Sequence, residues 1–158
     1  MTDTSQAYAI RASVDQLLAA ADPFDPATVA AAFATELREI LCSNSFMREF
    51  TGSPSTGPFE GLTLRIPRPY TPASLHLTAL TVRAGVVVRQ DELRGYFAMP
   101  RQGMALEPHT PPEGVVSFRE EIGDTVVFLD LTAKSRTLTT VALHRHASSD
   151  RGPESSAE

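Results

Sequence analysis

The spacing of apolar residues changes once along the chain, from a helical period before residue 50 to an alternating period after residue 61. In the first part, apolar residues recur at intervals of three and four, at Ile10, Val14, Leu17, Leu18 and Ala21. These positions fall on one side of a helix, so the pattern predicts an amphipathic helix over residues 5–21.

A second helix is predicted to begin at Asp25-Pro26, because aspartate is a favoured N-cap and proline a favoured first helical residue. Its apolar stripe keeps the same spacing, at Val29, Phe33, Leu37, Ile40 and Leu41. A short third helical turn is expected over residues 46–50. The sequence therefore predicts a helical part over residues 1–50.

Beyond a linker at residues 51–61, apolar and polar residues alternate, which is the period of half-buried strands. Strands are predicted over residues 62–66, 74–83, 86–89 and 95–99. Pro67, Pro69 and Pro72 separate the first two strands and predict an extended crossover. Residues 100–114, with four prolines, are predicted to form a long irregular loop.

The clearest strand signal is a three-stranded meander, with strands predicted over residues 115–121, 125–131 and 137–144. A two-residue turn at Gly123-Asp124 fixes the pairing of the first two strands, since turn length sets the register. Phe118 is then expected opposite Leu129, and Ser117 opposite Asp130.

This register gives the meander two unlike faces. One face is apolar, with Val116, Phe118, Val127, Leu129 and Leu131. The other is mixed, with Ser117, Arg119, Glu121, Val126, Phe128 and Asp130. A second turn of three or five residues would add Thr140, Ala142 and His144 to this mixed face. Asp130 follows an apolar run, and burying a carboxylate is costly unless it is paired. Arg119, diagonal to Asp130, is the expected partner.

Composition narrows the class of protein without specifying an activity. The 158 residues, 42% hydrophobic and 21% charged, are typical of one globular domain. We expect this domain over residues 1–146, with its β part over residues 62–144, and a disordered polar tail over residues 147–158. The expected fold class is α+β, in which N-terminal helices are followed by an antiparallel β-barrel or sandwich.

Charge and cysteine content bear on partners and location. The net charge is −5, and the arginines are scattered without a basic stripe, so no nucleic-acid partner is expected. No apolar run approaches the roughly 20 residues that span a bilayer, so no membrane partner is expected. The N-terminus does not resemble a signal peptide. One cysteine, Cys42, excludes an intrachain disulfide and favours a cytoplasmic location.

Between residues 29 and 146, the pattern of strands and glycines resembles the cupins, and within them the cysteine-dioxygenase-like group. Helices precede a hydrophobic strand that ends in glycine, here residues 75–85. Gly95-Tyr96-Phe97-Ala98-Met99 looks like a Gly-aromatic strand of that family. Gly123-Asp124-Thr125-Val126-Val127-Phe128 looks like its Gly-Asp strand, and Thr140-Val141-Ala142-Leu143-His144 like its closing strand. The resemblance implies a jelly-roll barrel around a small-molecule site.

The sequence departs from the cupin pattern at the metal ligands. Counted from Gly85, the family's His-x-His positions hold Asp91 and Leu93, and no histidine follows Phe128 at the place of a third ligand. The Ser-x-His-x-Tyr motif of thiol dioxygenases is replaced by Ala142-Leu143-His144-Arg145-His146. We therefore expect no metal, no cofactor and no dioxygenase activity.

Five residues are the candidates for a catalytic or binding site. Asp130 and Arg119 are expected to form a substrate-orienting or acid–base pair, and a purely structural ion pair is the alternative. His144 lies on the same predicted face. Tyr96 and His76 are further candidates for polar contacts in a pocket, and each has a structural role as its alternative.

Three hypotheses of function follow. The first is a small-molecule-binding protein or enzyme of cupin-like shape, which uses polar groups in an apolar cup. The second is a non-catalytic protein-interaction module or homodimer that pairs through strand edges or sheet faces. The third is a metalloenzyme with ligands from His76, His109, His144 or His146. The mixed face and the long proline-rich loop favour the first hypothesis.

Overall fold

The N-terminal helices are the first elements of the computed structural model, which describes residues 2–41, 45–69, 75–99, 104–105 and 114–145. The helices are α1 (Thr2–Ala19) and α2 (Pro26–Ala32). α1 buries one apolar side completely, at Ala7, Ile10, Val14 and Leu17. The first predicted helix is therefore confirmed, and so is its apolar stripe at Ile10, Val14 and Leu17, whereas Ala21 is exposed beyond the end of the helix.

α2 begins where the sequence predicts but ends earlier. The carboxylate of its N-cap, Asp25, accepts a hydrogen bond from the backbone N–H of Thr28 at 3.0 Å. At the other end, the N–H of Thr35 donates to the carbonyl of Ala30 at 3.1 Å, and Ala34 has a φ of 50°. These features form a Schellman motif, in which the left-handed position is usually a glycine. The helix therefore ends without the glycine that usually marks a helix C-terminus.

Residues 38–40 and 47–52 form strands, so the helical prediction for residues 38–40 and 47–50 is wrong. β1 (Arg38–Ile40) and β2 (Met47–Gly52) pair antiparallel. Ile40 is 37% exposed and Leu41 is 98% exposed, so the predicted apolar stripe does not continue to them. Because the Schellman motif has already turned the chain, the three-and-four spacing beyond it no longer describes a helix. The helical part therefore ends near residue 32.

Eight strands form one antiparallel sheet in the order β1-β2-β3-β4-β8-β7-β6-β5. The remaining strands are β3 (Phe59–Pro67), β4 (His76–Val82), β5 (Met104–Ala105), β6 (Val115–Ile122), β7 (Thr125–Thr132) and β8 (Leu138–Arg145). The sheet consists of two successive meanders, β1–β4 and β5–β8, joined by the pairing of β4 with β8. β1 and β5 are its two edges, so the described strands are not closed into the expected barrel.

Strands β6, β7 and β8 confirm the predicted meander and its register. Ser117 pairs with Asp130, and Phe118 pairs with Leu129. Gly123 has a φ of 65°, a left-handed conformation that glycine adopts without strain in a tight hairpin turn. The register follows from this turn as expected.

The hydrophobic core lies on one face of the sheet, which the helices cover and which we call the helix-covered face. Its largest fully buried side chains include Phe24, Phe59, Phe118, Ile10, Leu17, Leu64, Leu80, Leu93, Leu131 and Leu143. The predicted apolar side of the meander belongs to this core, since all five of its residues are at most 8% exposed. Each such side chain contributes about 1.5–3 kcal/mol through burial.

The two strands predicted on either side of Gln90 do not form in the described structure. Instead, α3 (Gln90–Leu93) occupies the predicted polar turn. The N–H of Arg89 donates to Glu92 Oε1 at 2.8 Å, which satisfies a backbone group at the start of the helix. Leu93 is fully buried. Arg89 alone pairs like a strand residue, in an isolated bridge with Thr137.

The remaining sequence predictions have mixed outcomes. The strand predicted over residues 62–66 is confirmed as part of β3, and the strand predicted over residues 74–83 is confirmed over residues 76–82 as β4. The linker predicted over residues 51–61 is shorter than expected, because β2 and β3 extend into it. Most of the loop predicted over residues 100–114, and all of the tail predicted over residues 147–158, lie outside the described residues.

Candidate ligand-binding face

The face of the sheet opposite the helices is the mixed face that the meander predicts. Strand β4 extends it with Leu77, Ala79 and Thr81, which pair with His144, Ala142 and Thr140 of β8. Most of its side chains in β4, β7 and β8 are half-buried. The mixed face is therefore partly shielded from water, as ligand-binding surfaces usually are.

The strand register arranges the mixed face in rows that run across the strands. A central row is apolar at Phe128, Ala142 and Ala79, and it has Arg119 at its β6 end. Beside it, toward the turn between β7 and β8, lies a row that we call the polar row: Ser117, Asp130, Thr140 and Thr81. Side chains directly opposite on neighbouring strands have Cβ atoms about 4.5–5.5 Å apart. One small molecule can therefore contact several groups of the polar row.

Asp130 is half-buried and lies at a β-bulge, where the pairing of β7 with β8 shifts register before Leu131. Its backbone carbonyl accepts a hydrogen bond from the Thr139 hydroxyl at 3.0 Å. Its carboxylate has no hydrogen-bond or ion-pair partner within the described ranges. Bulges re-aim side chains and are frequent beside functional sites. This acid is thus available to a ligand.

Ser117 is 7% exposed, and its Oγ is buried without a hydrogen-bond partner among the described residues. The other two buried polar side chains of the described residues do have partners. Thr78 donates to the carbonyl of Pro23 at 3.5 Å, and Thr125 donates to Asp124 Oδ1 at 3.3 Å. A buried hydroxyl without a partner costs about 1–3 kcal/mol. A bound molecule that reached Ser117 would offset this cost.

Arg119 does not form the predicted ion pair with Asp130. It donates to Glu121 at 2.7 Å, and its guanidinium carbon lies 5.8 Å from the centre of the Phe128 ring. Residues i and i+2 of a strand point to the same face, so Glu121 is closer at hand than a diagonal partner. The side chains of the pair are 51% and 69% exposed, and such a pair contributes little to stability.

The ring of His144 contacts the ring of Phe128 at a tilt of 60°, with 4.7 Å between the ring centres. It pairs with Val126, four residues from Asp130 along β7, which places the two groups about 13 Å apart at 3.3 Å per residue. A direct proton transfer between them is excluded by this distance. The mixed face therefore provides hydrogen-bond acceptors and apolar contacts rather than a coupled acid–base pair.

His76 and Tyr96 lie on the other side of the sheet from Asp130. The His76 ring is 5.6 Å from the ring of Phe24, a residue of the core. The Tyr96 ring is 6.1 Å from the ring of Tyr8 in α1. The structure thus brings Asp130 and two of the other candidates to one face and leaves these two apart. A catalytic role for any of the five stays a prediction.

Metal ligation was the third hypothesis drawn from the sequence. Within the residues that the structure describes, no three His, Cys, Asp or Glu side chains are grouped so that they could hold a metal ion. Cys42, His109 and His146 lie outside those residues. A metal site that includes these histidines stays a prediction.

Ser117 is the member of the site that sequence reasoning placed without recognising its role. Its position opposite Asp130 followed from the hairpin register. The missing information was whether its hydroxyl has a partner, which depends on every neighbouring strand and loop. A serine in a strand gives no signal of that kind.

Similarity to other proteins does not add to this description. Among the helices of the described residues, none is both long enough and apolar enough to cross a membrane. Comparisons with protein-family models, curated proteins and solved structures returned no match. The candidate site therefore rests on geometry alone.

Proposed function

We propose that the protein binds a small organic molecule on the mixed face, with hydrogen-bond donors of the ligand directed at the polar row. The observation that carries the proposal is the buried, unpartnered Oγ of Ser117 opposite the unpaired carboxylate of Asp130. The Oγ of Ser117 has lost hydration without gaining a partner among the described residues, which is unfavourable in the free protein, and the half-buried carboxylate of Asp130 beside it has no ion-pair partner there. A ligand that bonds to both restores what folding removed.

The chemistry of the polar row defines the ligand class. The carboxylate of Asp130 only accepts hydrogen bonds, whereas the hydroxyls of Ser117 and Thr140 accept or donate. The ligand is therefore expected to present an ammonium group or hydroxyl groups along one edge. Phe128 and Ala142, in the adjacent row, favour an apolar body beside that edge. An anionic ligand would meet the like charge of Asp130 and bind worst.

Binding, rather than a reaction, is the better-supported part of the original hypothesis. The separation of Asp130 from His144 argues against a coupled acid–base mechanism. A site on one open sheet face also does not require the barrel that the cupin resemblance implies. A cytoplasmic location belongs to the same proposal and is supported by the single cysteine, Cys42.

Three probes with the same ring and different charge test this ligand class: phenethylamine, 2-phenylethanol and 3-phenylpropanoate. Each is titrated into the isotope-labelled full chain, and backbone amide shifts in β6, β7 and β8 are followed by NMR. We expect affinity to fall from the ammonium to the alcohol to the carboxylate, because only the first two can donate to Asp130. An equal response to all three probes would contradict the proposed role of this acid.

Two variants and a matched control locate the site. Asp130→Asn removes the charge and should reduce the preference for phenethylamine over 2-phenylethanol by about tenfold, since hydrogen bonds to a charged group are worth about 1.5–3 kcal/mol. Ser117→Ala should weaken binding of 2-phenylethanol. Glu121→Gln makes the same acid-to-amide change on an exposed part of the same face and should leave all three affinities unchanged. If Glu121→Gln and Asp130→Asn act alike, the polar row is not the site.

A homodimer through β1 is the second candidate, and one observation favours it. β1 is an edge strand with every residue exposed, and Leu41 beside it is 98% exposed. However, β1 has only three residues, and two of them, Arg38 and Glu39, are charged, which are features that protect edges against pairing. Light scattering at micromolar concentration tests the candidate. A dimer that Leu41→Lys converts to a monomer would support it, and a monomeric wild type would exclude it.

A further inference from the structure

A polar cleft lies where α3 meets the turn between β7 and β8, and it shares no lining residue with the polar row. It is open to solvent, has a volume of about 300 Å³ and is lined by Arg89, Gln90, Asp91, Arg94, Ser135 and Arg136. Backbone hydrogen bonds hold its two sides together. The N–H of Gln90 donates to the carbonyl of Arg136 at 3.0 Å, and the N–H of Leu138 donates to the carbonyl of Val88 at 2.9 Å.

The arginines of this cleft differ from other described arginines in whether an acidic side chain neutralises their charge. Ion pairs with acidic side chains are formed by Arg11, Arg48, Arg65, Arg119 and Arg145. Arg89, Arg94 and Arg136 form no such pair with any acid in the described part of the chain. Asp91 contributes the single carboxylate of the lining. Three arginines and one carboxylate in the lining leave the cleft with an excess of positive charge, which favours an anionic ligand.

Arg136 is held in place before any ligand arrives. Its Nε donates to the carbonyl of Ala133 at 2.9 Å, and a terminal nitrogen donates to Gln90 Oε1 at 3.0 Å. These bonds use part of the five N–H groups of its guanidinium. Because the side chain is already ordered, a ligand would not have to immobilise it.

The backbone of Arg136 is also unusual. Its φ of 56° lies in the left-handed region, which costs a residue other than glycine about 1–2 kcal/mol. Strain of this kind is concentrated at ligand clamps and other functional sites. Glycine would adopt this backbone conformation without strain. The presence of arginine at this position therefore points to a role for its side chain.

We propose that this arginine cleft is a second binding site and that its ligand is a doubly charged oxyanion, either free phosphate or the phosphate group of a small molecule. A planar guanidinium matches the oxygens of phosphate with two parallel hydrogen bonds. A ligand with a single negative charge would leave part of the positive charge of the three guanidinium groups unbalanced. Together with the negative charge of Asp91, the three groups match a ligand with two negative charges. The mixed face favours cationic or neutral donors, so the two sites select ligands of opposite charge.

Titrations of the full chain with inorganic phosphate and with methyl phosphate, at constant ionic strength set by chloride, test the proposal. Amide shifts of Gln90, Arg94 and Ser135 are followed by NMR. We expect saturable shifts at these residues with at least one of the two probes. Similar affinities for both would identify an ester-linked phosphate as acceptable, whereas binding of inorganic phosphate alone would identify the free ion as the ligand.

Four variants make the result specific. Arg94→Gln and Arg89→Gln should each weaken binding by about tenfold or more, since each removes a charged hydrogen-bond donor. Arg65→Gln removes the same charge from β3, far from the cleft, and should change nothing. Asp91→Asn should tighten binding by up to about fivefold, because it removes a nearby like charge. An increase in affinity cannot result from a folding defect.

Three outcomes would overturn the proposal. The first is no saturable shift with either probe. The second is an equal loss of affinity in Arg65→Gln and Arg94→Gln, which would indicate general charge screening. The third is no tightening in Asp91→Asn together with no weakening in Arg89→Gln. None of these outcomes bears on the mixed face, whose probes carry no phosphate.

Discussion

The two faces of the β6–β8 meander are built from the same three strands and have opposite properties. On the helix-covered face, Phe118 is 1% exposed and Leu129 is 2% exposed, and every neighbour is apolar or satisfied. On the mixed face, Phe128 and Asp130 are half-buried, and Ser117 is buried without a partner. The first face is arranged for stability. The second retains unmet hydrogen-bonding groups, which is the arrangement expected where a ligand completes the structure.

The strongest test of this comparison replaces one phenylalanine on each face. Phe118→Ala should lower the free energy of unfolding by about 3–5 kcal/mol, because a fully buried ring leaves a cavity. Phe128→Ala should lower it by only about 1–2 kcal/mol, since its ring is half-buried. Urea unfolding followed by circular dichroism measures both. Equal losses would mean that the mixed face is a second core.

A second test, with a smaller expected change in the free energy of unfolding, compares two buried hydroxyl groups whose removal should have opposite effects. Ser117→Ala should raise the free energy of unfolding by about 1 kcal/mol, because it removes a group that is buried without a partner. Thr125→Val removes a hydroxyl that donates to Asp124, so it should lower the free energy by about 1 kcal/mol. The same unfolding assay compares them. A destabilised Ser117→Ala would show that its hydroxyl already has a partner.

If both results hold, Ser117 is kept at a cost to stability. Residues that destabilise the free protein are often those that function requires. Ser117→Ala is then expected to be more stable than the wild type and a poorer binder of 2-phenylethanol. Stability and binding that fall together would point to a purely structural role.

The smallest effect on stability is expected at the edge of the helix-covered face, where β1 and β2 have charged side chains in place of buried apolar ones. Two nitrogens of Arg48 donate to the two oxygens of Glu39, each at 2.9 Å. This hydrogen bonding, together with the positive charge of Arg48, holds the pKa of Glu39 below its ordinary value despite slight desolvation. The same bond raises the pKa of Arg48.

The sign of the resulting pH dependence follows from the lowered pKa of Glu39. The pair contributes stability above the ordinary pKa of a glutamate, and this contribution is lost as the pH falls through the lowered value in the folded state. In Arg48→Gln, an NMR titration of the Glu39 carboxyl should show its pKa rising toward the ordinary value of a glutamate. An unchanged pKa would show that the ion pair is not formed in solution.

The meander was predictable because two independent signals agreed there. Alternation of apolar residues specified the strands, and the tight turn at Gly123 specified their register. Residues 33–52 were not predictable for a local reason. The helix stops at a left-handed Ala34, a conformation that alanine avoids and that no sequence pattern marks. Because nothing in the sequence marks that helix end, Leu37 and Ile40 continue the helical spacing of apolar residues by coincidence.

The candidate site was predictable as a surface but not in its contacts. The register placed Asp130, Arg119 and His144 on one face. The choice of Glu121 as the partner of Arg119 depends on side-chain distances that register does not give. The arginine cleft was beyond sequence reasoning, because it joins residues 89–94 to residues 135–136 through a bridge between Arg89 and Thr137. Arginines that look scattered in the sequence converge only in the fold.

The pairing of β4 with β8, which joins the two meanders, has a consequence for folding during synthesis on the ribosome. β8 is the last described strand to be synthesised, yet it lies between β4 and β7 at the centre of the sheet. Until it emerges, β4 presents an unpaired edge to other nascent chains. Folding is therefore expected to finish only after synthesis of residue 145. A ribosome-stalled chain that ends before β8 should need a chaperone to remain soluble.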